Sequence, residues 1–193
     1  MRHPTVVGGS SIPQPRESSE TTAVTHRQRW AVETLAVAPD DHLLEIGCGR
    51  GVAVSLVAER LTTGRIVAID RAATMARLAA ERNASHIRSG RVEIRHAGFD
   101  STDLPAHHFT TIFAVNVSLF WMGAATQQIE RVRSLLAPGG RLCVFGERPI
   151  SANATANVTS TERLLQAHGF STTRSITTYG QDRLLTCVTG TPL

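Results

Sequence analysis

Apolar positions in this chain fall into short runs whose period switches along the sequence. His42–Ile46 and Arg65–Ile69 are nearly continuous apolar segments of strand length, the pattern of strands covered on both faces. Between them Val52–Leu61 spaces its apolar residues at helical intervals. The alternation continues with strands predicted over Arg91–His96 and Thr111–Val115 and helices over Thr25–Leu35, Thr74–Asn83 and Thr126–Leu136. A Pro-Gly-Gly turn within Leu135–Gly146 leads into a fifth strand. The end of the chain breaks this rhythm. Thr159 and Glu162 form a capping-box signal for a helix reaching His168, after which Ser171–Tyr179 and Arg183–Thr189 are successive β-rich runs. Gly180–Asp182 is too short to connect parallel strands, so these two runs form an antiparallel hairpin. The pattern predicts an α/β fold with seven strands, five from βα repeats and two from the hairpin.

Chemistry concentrates in the segment Leu43–Gly51, LLEIGCGRG. A buried strand carrying Glu45 ends in a turn with glycines at Gly47, Gly49 and Gly51, around Cys48, and glycine lets backbone approach a ligand that a Cβ would hold away. An isolated GxGxG marks an ordinary tight loop about as often as a ligand cradle. Here it opens a strand–turn–helix–strand unit that ends in Asp70, where a doubly wound sheet grips a ribose. A dinucleotide fingerprint requires its third glycine where this chain has Val52, and Glu45 beside the turn suits a cationic ligand better than a pyrophosphate.

This arrangement resembles motif I of the class I S-adenosylmethionine-dependent methyltransferases of the small-molecule type. Three later segments extend the resemblance, which covers about Val24 to Thr189. Phe99–Pro105, FDSTDLP, is similar to the family's GDAxxLP segment; the strand Thr111–Val115 runs into Asn116; and Leu135–Gly146, LLAPGGRLCVFG, resembles the turn and fifth strand that close the family core. The resemblance implies a Rossmann-like doubly wound sheet, mostly parallel with a C-terminal antiparallel hairpin, and S-adenosylmethionine as cofactor. It implies that Glu45 and Gly47, Cys48, Gly49 and Gly51 hold the methionine portion and that Asp70 holds the ribose, with Arg71 and Met75 beside it. Phe99 and Asp100 would hold the adenine, and Asn116 and Val117 would flank the methyl-bearing sulfur. Two positions depart from the family pattern: Phe99 replaces a glycine, which would narrow the adenine pocket, and Thr110 replaces an aspartate at the start of the fourth strand.

Methyl transfer is an in-line displacement at an activated sulfonium, so a dedicated catalytic residue is optional. Asn116 and Trp121 are the catalytic candidates. Phe120, Trp121 and Met122 either wall a planar or apolar acceptor or pack the next helix onto the sheet. His26, His96, His107, His108 and Tyr179 are further candidate bases, each more readily explained as an ordinary solvated side chain. The amino-directed NPPY or DPPY tetrapeptide of nucleic-acid methyltransferases is absent, as is a large recognition insertion, which leaves a small-molecule acceptor methylated on oxygen, nitrogen or carbon. A noncatalytic S-adenosylmethionine-binding module, an RNA methyltransferase and an NAD-dependent oxidoreductase are the alternatives.

Composition adds boundaries. At 193 residues and 41% hydrophobic content the chain has material for one substantial core, expected over residues 23–193. Residues 1–22, rich in Pro, Gly, Ser and charges, read as a flexible tail. The net charge of +4 comes from scattered arginines, more a solvated surface than a nucleic-acid footprint. Cys48, Cys143 and Cys187 read as buried thiols, and His107–His108 lacks the second ligand pair of a zinc site. With no bilayer-length apolar run and no signal-peptide core, the expected location is the cytoplasm.

Overall fold

Five strands, β1 (His42–Ile46), β2 (Arg65–Asp70), β3 (Val92–His96), β4 (Phe109–Val115) and β5 (Leu136–Pro149), are separated by helices, except that an irregular segment joins β3 to β4, in a computed structural model that describes residues 19–120, 125–151 and 155–193. The helices are α1 (Ser19–Leu35), α2 (Val52–Ala58), α3 (Ala73–Arg82), α4 (Ala84–Arg88), α5 (Thr126–Leu135) and α6 (Ala156–Ala167). Strands β6 (Phe170–Tyr179) and β7 (Arg183–Pro192) complete a seven-stranded sheet in the order β3-β2-β1-β4-β5-β7-β6. The first five pair in parallel, and β7 runs antiparallel to both β5 and β6. Only β7 is therefore reversed. Helix α6 carries the chain back over the sheet, so that β6 regains the common direction and the tight turn brings β7 into the gap beside β5.

The continuous apolar runs follow from helices on both faces. One face buries Leu44, Ile112, Leu142 and Val188 against Ile129 and Val132 of α5 and Val158 and Leu165 of α6. The other buries Leu43, Phe113 and Phe145 against Val32 and Leu35 of α1 and Val54 and Val57 of α2. Because β2 and β3 extend to one side of β1 and β4 to the other, the strand order switches between β1 and β4, where a crevice opens at the carboxyl ends of the strands.

Several local expectations are corrected. Helix α1 begins at Ser19, earlier than Thr25, and takes in the last residues of the expected tail; residues 1–18 lie outside the described residues. The Thr159–Glu162 capping box does not form. Helix α6 starts at Ala156, so Thr159 is already inside it, donating its N–H to the Thr155 carbonyl at 3.1 Å, and Glu162 instead accepts from Arg174 of β6 at 2.8 and 2.9 Å. Strand β5 begins before the Pro-Gly-Gly segment, which is accommodated as a shift of register between Phe109 and Thr111. Thr110 accepts from the His42 N–H at 3.2 Å and donates to Asp41 at 2.7 Å, so this departure acts at the amino end of the strand, away from the crevice.

Candidate functional site

The site begins where β1 stops. The N–H groups of Gly47 and Cys48 both donate to the Ile69 carbonyl, at 2.8 and 3.0 Å, which ties the turn to the end of β2. Gly47, Gly49 and Gly51 have φ of 73°, 53° and 71°, left-handed values that disfavour a side chain. Their surroundings differ. A Cβ on Gly47 would lie 2.6 Å from Val117 Cγ2, and one on Gly51 would lie 2.6 Å from Asn83 Nδ2, so protein fills both spaces. A Cβ on Gly49 would meet no heavy atom within 4 Å, leaving this the glycine with open space over it.

Sequence reasoning missed Asn83. It is fully buried, its Nδ2 donates to the carbonyls of Gly51 and Ala79 at 3.0 and 2.9 Å, and its Oδ1 accepts from Ser55 at 2.8 Å. It thereby fastens the glycine turn and the start of α2 to the end of α3. The only sequence signal was an Asn at a helix end, which ordinarily reads as a cap.

Two acids flank the turn. Asp70, at the tip of β2, accepts from the Gly49 N–H at 2.8 Å through one oxygen and from the Ala72 N–H at 2.9 Å through the other. Each carboxylate oxygen has a second lone-pair site for further donors. Glu45 is 2% exposed, and its Oε2 has no hydrogen-bond partner among the described residues. Burial, assisted by the neighbouring Asp70 charge, pushes the Glu45 carboxyl up to about 8 from an ordinary 4.5. Burial and the same two acids also push the Cys48 thiol up, away from the reactive thiolate.

Beside these groups lies a cleft of about 380 Å³. Of the expected residues, Gly47, Asp70, Arg71, Phe99, Asp100, Asn116 and Val117 line it, joined by Ile46, Ile69, Ala97, Gly98, Ser118 and Leu119, which the sequence reading did not single out. Glu45, Cys48, Gly49, Gly51 and Met75 are not among the lining residues; Met75 is half-buried in the first turn of α3. Phe99 is accommodated by turning into the apolar core, at 6% exposure, with the Arg131 guanidinium 5.3 Å from its ring centroid. The small residue expected at that position is supplied one place earlier by Gly98. Asp100 accepts from Gln128 of α5 at 3.0 Å. Asn116 adopts φ of 58° and donates its N–H to the Phe145 carbonyl at 2.8 Å, which fixes the exit of β4 against β5.

A family model described as "Methyltransferase domain" matches residues 43–140, just over half of the chain. The chain belongs to this methyltransferase domain family. A trans-aconitate 2-methyltransferase of Paracidovorax citrulli (strain AAC00-1) is 31% identical over 126 residues, covering 61% of this chain and 44% of that protein. The chain thus spans less than half the length of this relative. Among solved structures, the [4+2]-cyclase SpnF superposes with a TM-score of 0.73 at 17% identity, covering 93% of this chain and 85% of the other. Geranyl diphosphate C-methyltransferase from Streptomyces coelicolor A3(2) superposes with a TM-score of 0.67 at 14% identity, covering 93% and 88%. At these identities the structures show the Rossmann-like fold.

The remaining candidates of this methyltransferase domain separate by position. Phe120 is 1% exposed in the apolar cluster, the packing alternative for that residue, while Trp121 and Met122 lie outside the described residues. His107 and His108 immediately precede β4 at the amino end of the sheet, opposite the cleft, and desolvation with the nearby His42 lowers the His108 pKa. His96, at the carboxyl end of β3, is 3.2 Å from the Arg71 carbonyl, and His26 stacks on Tyr179 with ring centroids 3.8 Å apart. Among the described residues no group of His, Cys, Asp and Glu could hold a metal ion.

Proposed function

We propose that this chain is the catalytic domain of an S-adenosylmethionine-dependent methyltransferase acting on a small-molecule acceptor. The observation that carries the reading is the buried Glu45 carboxyl with an unpartnered oxygen, placed with Asp70 at a glycine turn whose central residue has open space over it. An orphaned buried carboxyl is costly unless a donor or cation satisfies it, and a sulfonium ligand carrying an ammonium group supplies both. A pyrophosphate would instead meet the carboxylates of Asp70 and Asp100, against one lining cation among the described residues, Arg71. That charge balance weighs against an NAD-dependent oxidoreductase.

Bound S-adenosylmethionine supplies an activated methyl group on a sulfonium. The chain would bind, align and exclude water. Asp70 retains lone pairs for the two ribose hydroxyls while its backbone bonds hold it still, and Arg71 lies next to it on the rim. Gly98, Phe99 and Asp100 would bound the adenine end, with Phe99 presenting the edge of the apolar core. Glu45, Gly49 and the backbone from Gly47 to Gly51 would receive the methionine end, while Asn116 and Val117 border the reacting centre. Cys48 and Gly51 would support the turn, with Met75 half-buried in the first turn of α3. Positioning suffices because the leaving group is already activated. No candidate base is required.

Trans-aconitate 2-methyltransferase as a relative supports a small-molecule acceptor over RNA. Three free buried cysteines fit a reducing compartment, and among the described residues no helix is long and apolar enough to cross a membrane, so cytoplasmic location belongs to the proposal. The test is transfer of a radiolabelled methyl group from the donor. Label recovered in a small-molecule fraction of a cell extract is the expected result. Donor binding without transfer to any fraction would make the chain a binding module, and label in RNA would overturn the acceptor class.

A further inference from the structure

The irregular segment between β3 and β4 carries Phe99 and Asp100 along the cleft, and its shape is set from two directions. Within the segment, the Gly98 carbonyl accepts from the Ser101 N–H at 3.3 Å, the Thr102 N–H at 3.2 Å and the Ser101 hydroxyl at 3.4 Å. This tight turn leaves Asp100 exposed while Phe99 and Leu104 sink into the apolar core on either side of it. From outside the segment, Arg95 of β3 donates to the Asp103 carbonyl at 2.5 Å, and Arg131 of α5 donates to the Thr102 carbonyl. The Arg131 guanidinium also lies over the Phe99 ring, so one side chain of α5 grips both ends of the turn.

Gln128 stands one turn before Arg131 on α5, at the i, i+3 spacing that puts two side chains on one face of a helix. Its Nε2 donates to Asp100 Oδ1 at 3.0 Å. Among the described residues Asp100 takes no other hydrogen bond, so one carboxylate oxygen is held by the amide and the other keeps its lone pairs at the edge of the cleft. An exposed aspartate samples several rotamers, and a ligand that uses it must fix it; a preformed hydrogen bond removes that cost in advance. An ionised carboxylate only accepts, so at the base end of a nucleoside it selects for a donor. The exocyclic amino group of adenine offers an N–H, whereas the carbonyl of hypoxanthine in the same place turns a lone pair toward it.

We infer that Gln128 is a positioning residue for base recognition: it aims Asp100 at the exocyclic amino group of the cofactor's adenine, and Arg131, one turn on, holds the turn that carries Asp100. The inference rests on reading the large cleft as the S-adenosylmethionine site with Asp100 at its adenine end. Base selectivity is then set in part by α5, a helix that contributes no residue to the cleft lining among the described residues.

The experiment compares binding of S-adenosylhomocysteine with that of its deaminated counterpart, S-inosylhomocysteine, by calorimetry. The wild type prefers the adenine compound roughly 10- to 100-fold, the difference made by a hydrogen bond to a charged group. Gln128→Ala lowers affinity for the adenine compound roughly 3- to 10-fold without lowering affinity for the hypoxanthine compound, so the preference narrows. Gln128→Lys, which restores a donor of similar reach, recovers it. Gln128→Glu, of the same shape without the donor, serves as a second variant should Gln128→Ala fail to fold, and narrows the preference likewise. A merely structural role would lower both affinities together and keep their ratio. A wild type without preference, or variants lacking the donor that keep the wild-type ratio, would overturn the positioning role while leaving the cofactor site standing. Failure of S-adenosylhomocysteine to bind the wild type would overturn the cofactor reading and the positioning role with it.

Discussion

The carboxyl edge of the sheet is built in two ways. Around β1, β2 and β4 the geometry is held by backbone: three left-handed glycines, two N–H groups sharing the Ile69 carbonyl, and Asp70 accepting from two further N–H groups. Around β5, β7 and α6 it is held by side chains: Arg27 on Glu147, His26 on Tyr179, Arg148 on Asn157 and Glu162 on Arg174. A backbone-held site tolerates little change at fixed positions, which suits a cofactor that does not vary. A side-chain-held region can be respecified by a few substitutions without disturbing the turn.

Substitutions that fill the backbone-held half have the largest effect. Gly51→Val places a side chain where Asn83 and Ala79 already sit, at a φ of 71°, and should cost about 3–5 kcal/mol from strain, overpacking and the lost Asn83 bonds. Urea unfolding reads it; a loss below about 1 kcal/mol would mean that the turn relaxes and is not held as described.

Glu45→Gln comes next. The folded-state pKa of Glu45, about 8, exceeds its ordinary value of 4.5, so the folded protein keeps a proton that the unfolded chain releases. Its contribution is fully present below about pH 4.5 and is lost as pH rises to about 8. The variant should remove this decline, gaining on the order of a few kcal/mol of stability at pH 8, and should weaken S-adenosylmethionine binding. In the wild type the cationic ligand draws the proton off Glu45, so affinity should rise between pH 6 and 8 and the calorimetric enthalpy should depend on buffer. A buffer-independent enthalpy would exclude that link.

Asp70→Ala should weaken cofactor binding by about 1–3 kcal/mol, the range for hydrogen bonds to charged groups; unchanged affinity would remove Asp70 from the ribose site. In the side-chain-held half, Arg27→Ala leaves the buried Glu147 with the more distant Arg183 and should cost about 1–2 kcal/mol of stability with cofactor affinity unchanged. A matching loss of cofactor affinity would show that the two halves are not separate. The smallest effect on stability is expected for Gly49→Ala, about 1 kcal/mol from its φ of 53° alone, since nothing stands in the way of the added methyl. Its signature is weakened cofactor binding in a protein that still folds.

The same division explains what was legible in the sequence. Strand β1 was read to its ends, and the glycine turn and Asp70 fell where a βαβ unit requires, because glycine and a strand-tip acid leave backbone-level marks. The distinct tasks of the three glycines were not legible, since whether a Cβ meets Val117, Asn83 or open space depends on contacts from β4 and α3. Phe99 read as an obstruction because its inward turn and the Arg131 above it are tertiary. At the other end, Thr159 and Glu162 match a local capping pattern, but Arg174 of β6 claims the Glu162 carboxylate, and the helix starts a turn earlier. Arg148, Asn157 and Arg27 gave no pattern at all, since partners far apart in the chain carry no spacing signal.

Calorimetric titration of the chain with S-adenosylmethionine, S-adenosylhomocysteine and NAD tests the central claim most directly. The charge arrangement around Glu45 and Asp70 predicts micromolar binding of the first two, pH-dependent for the methylated donor, and none of NAD. Binding of NAD without either adenosyl ligand would contradict it.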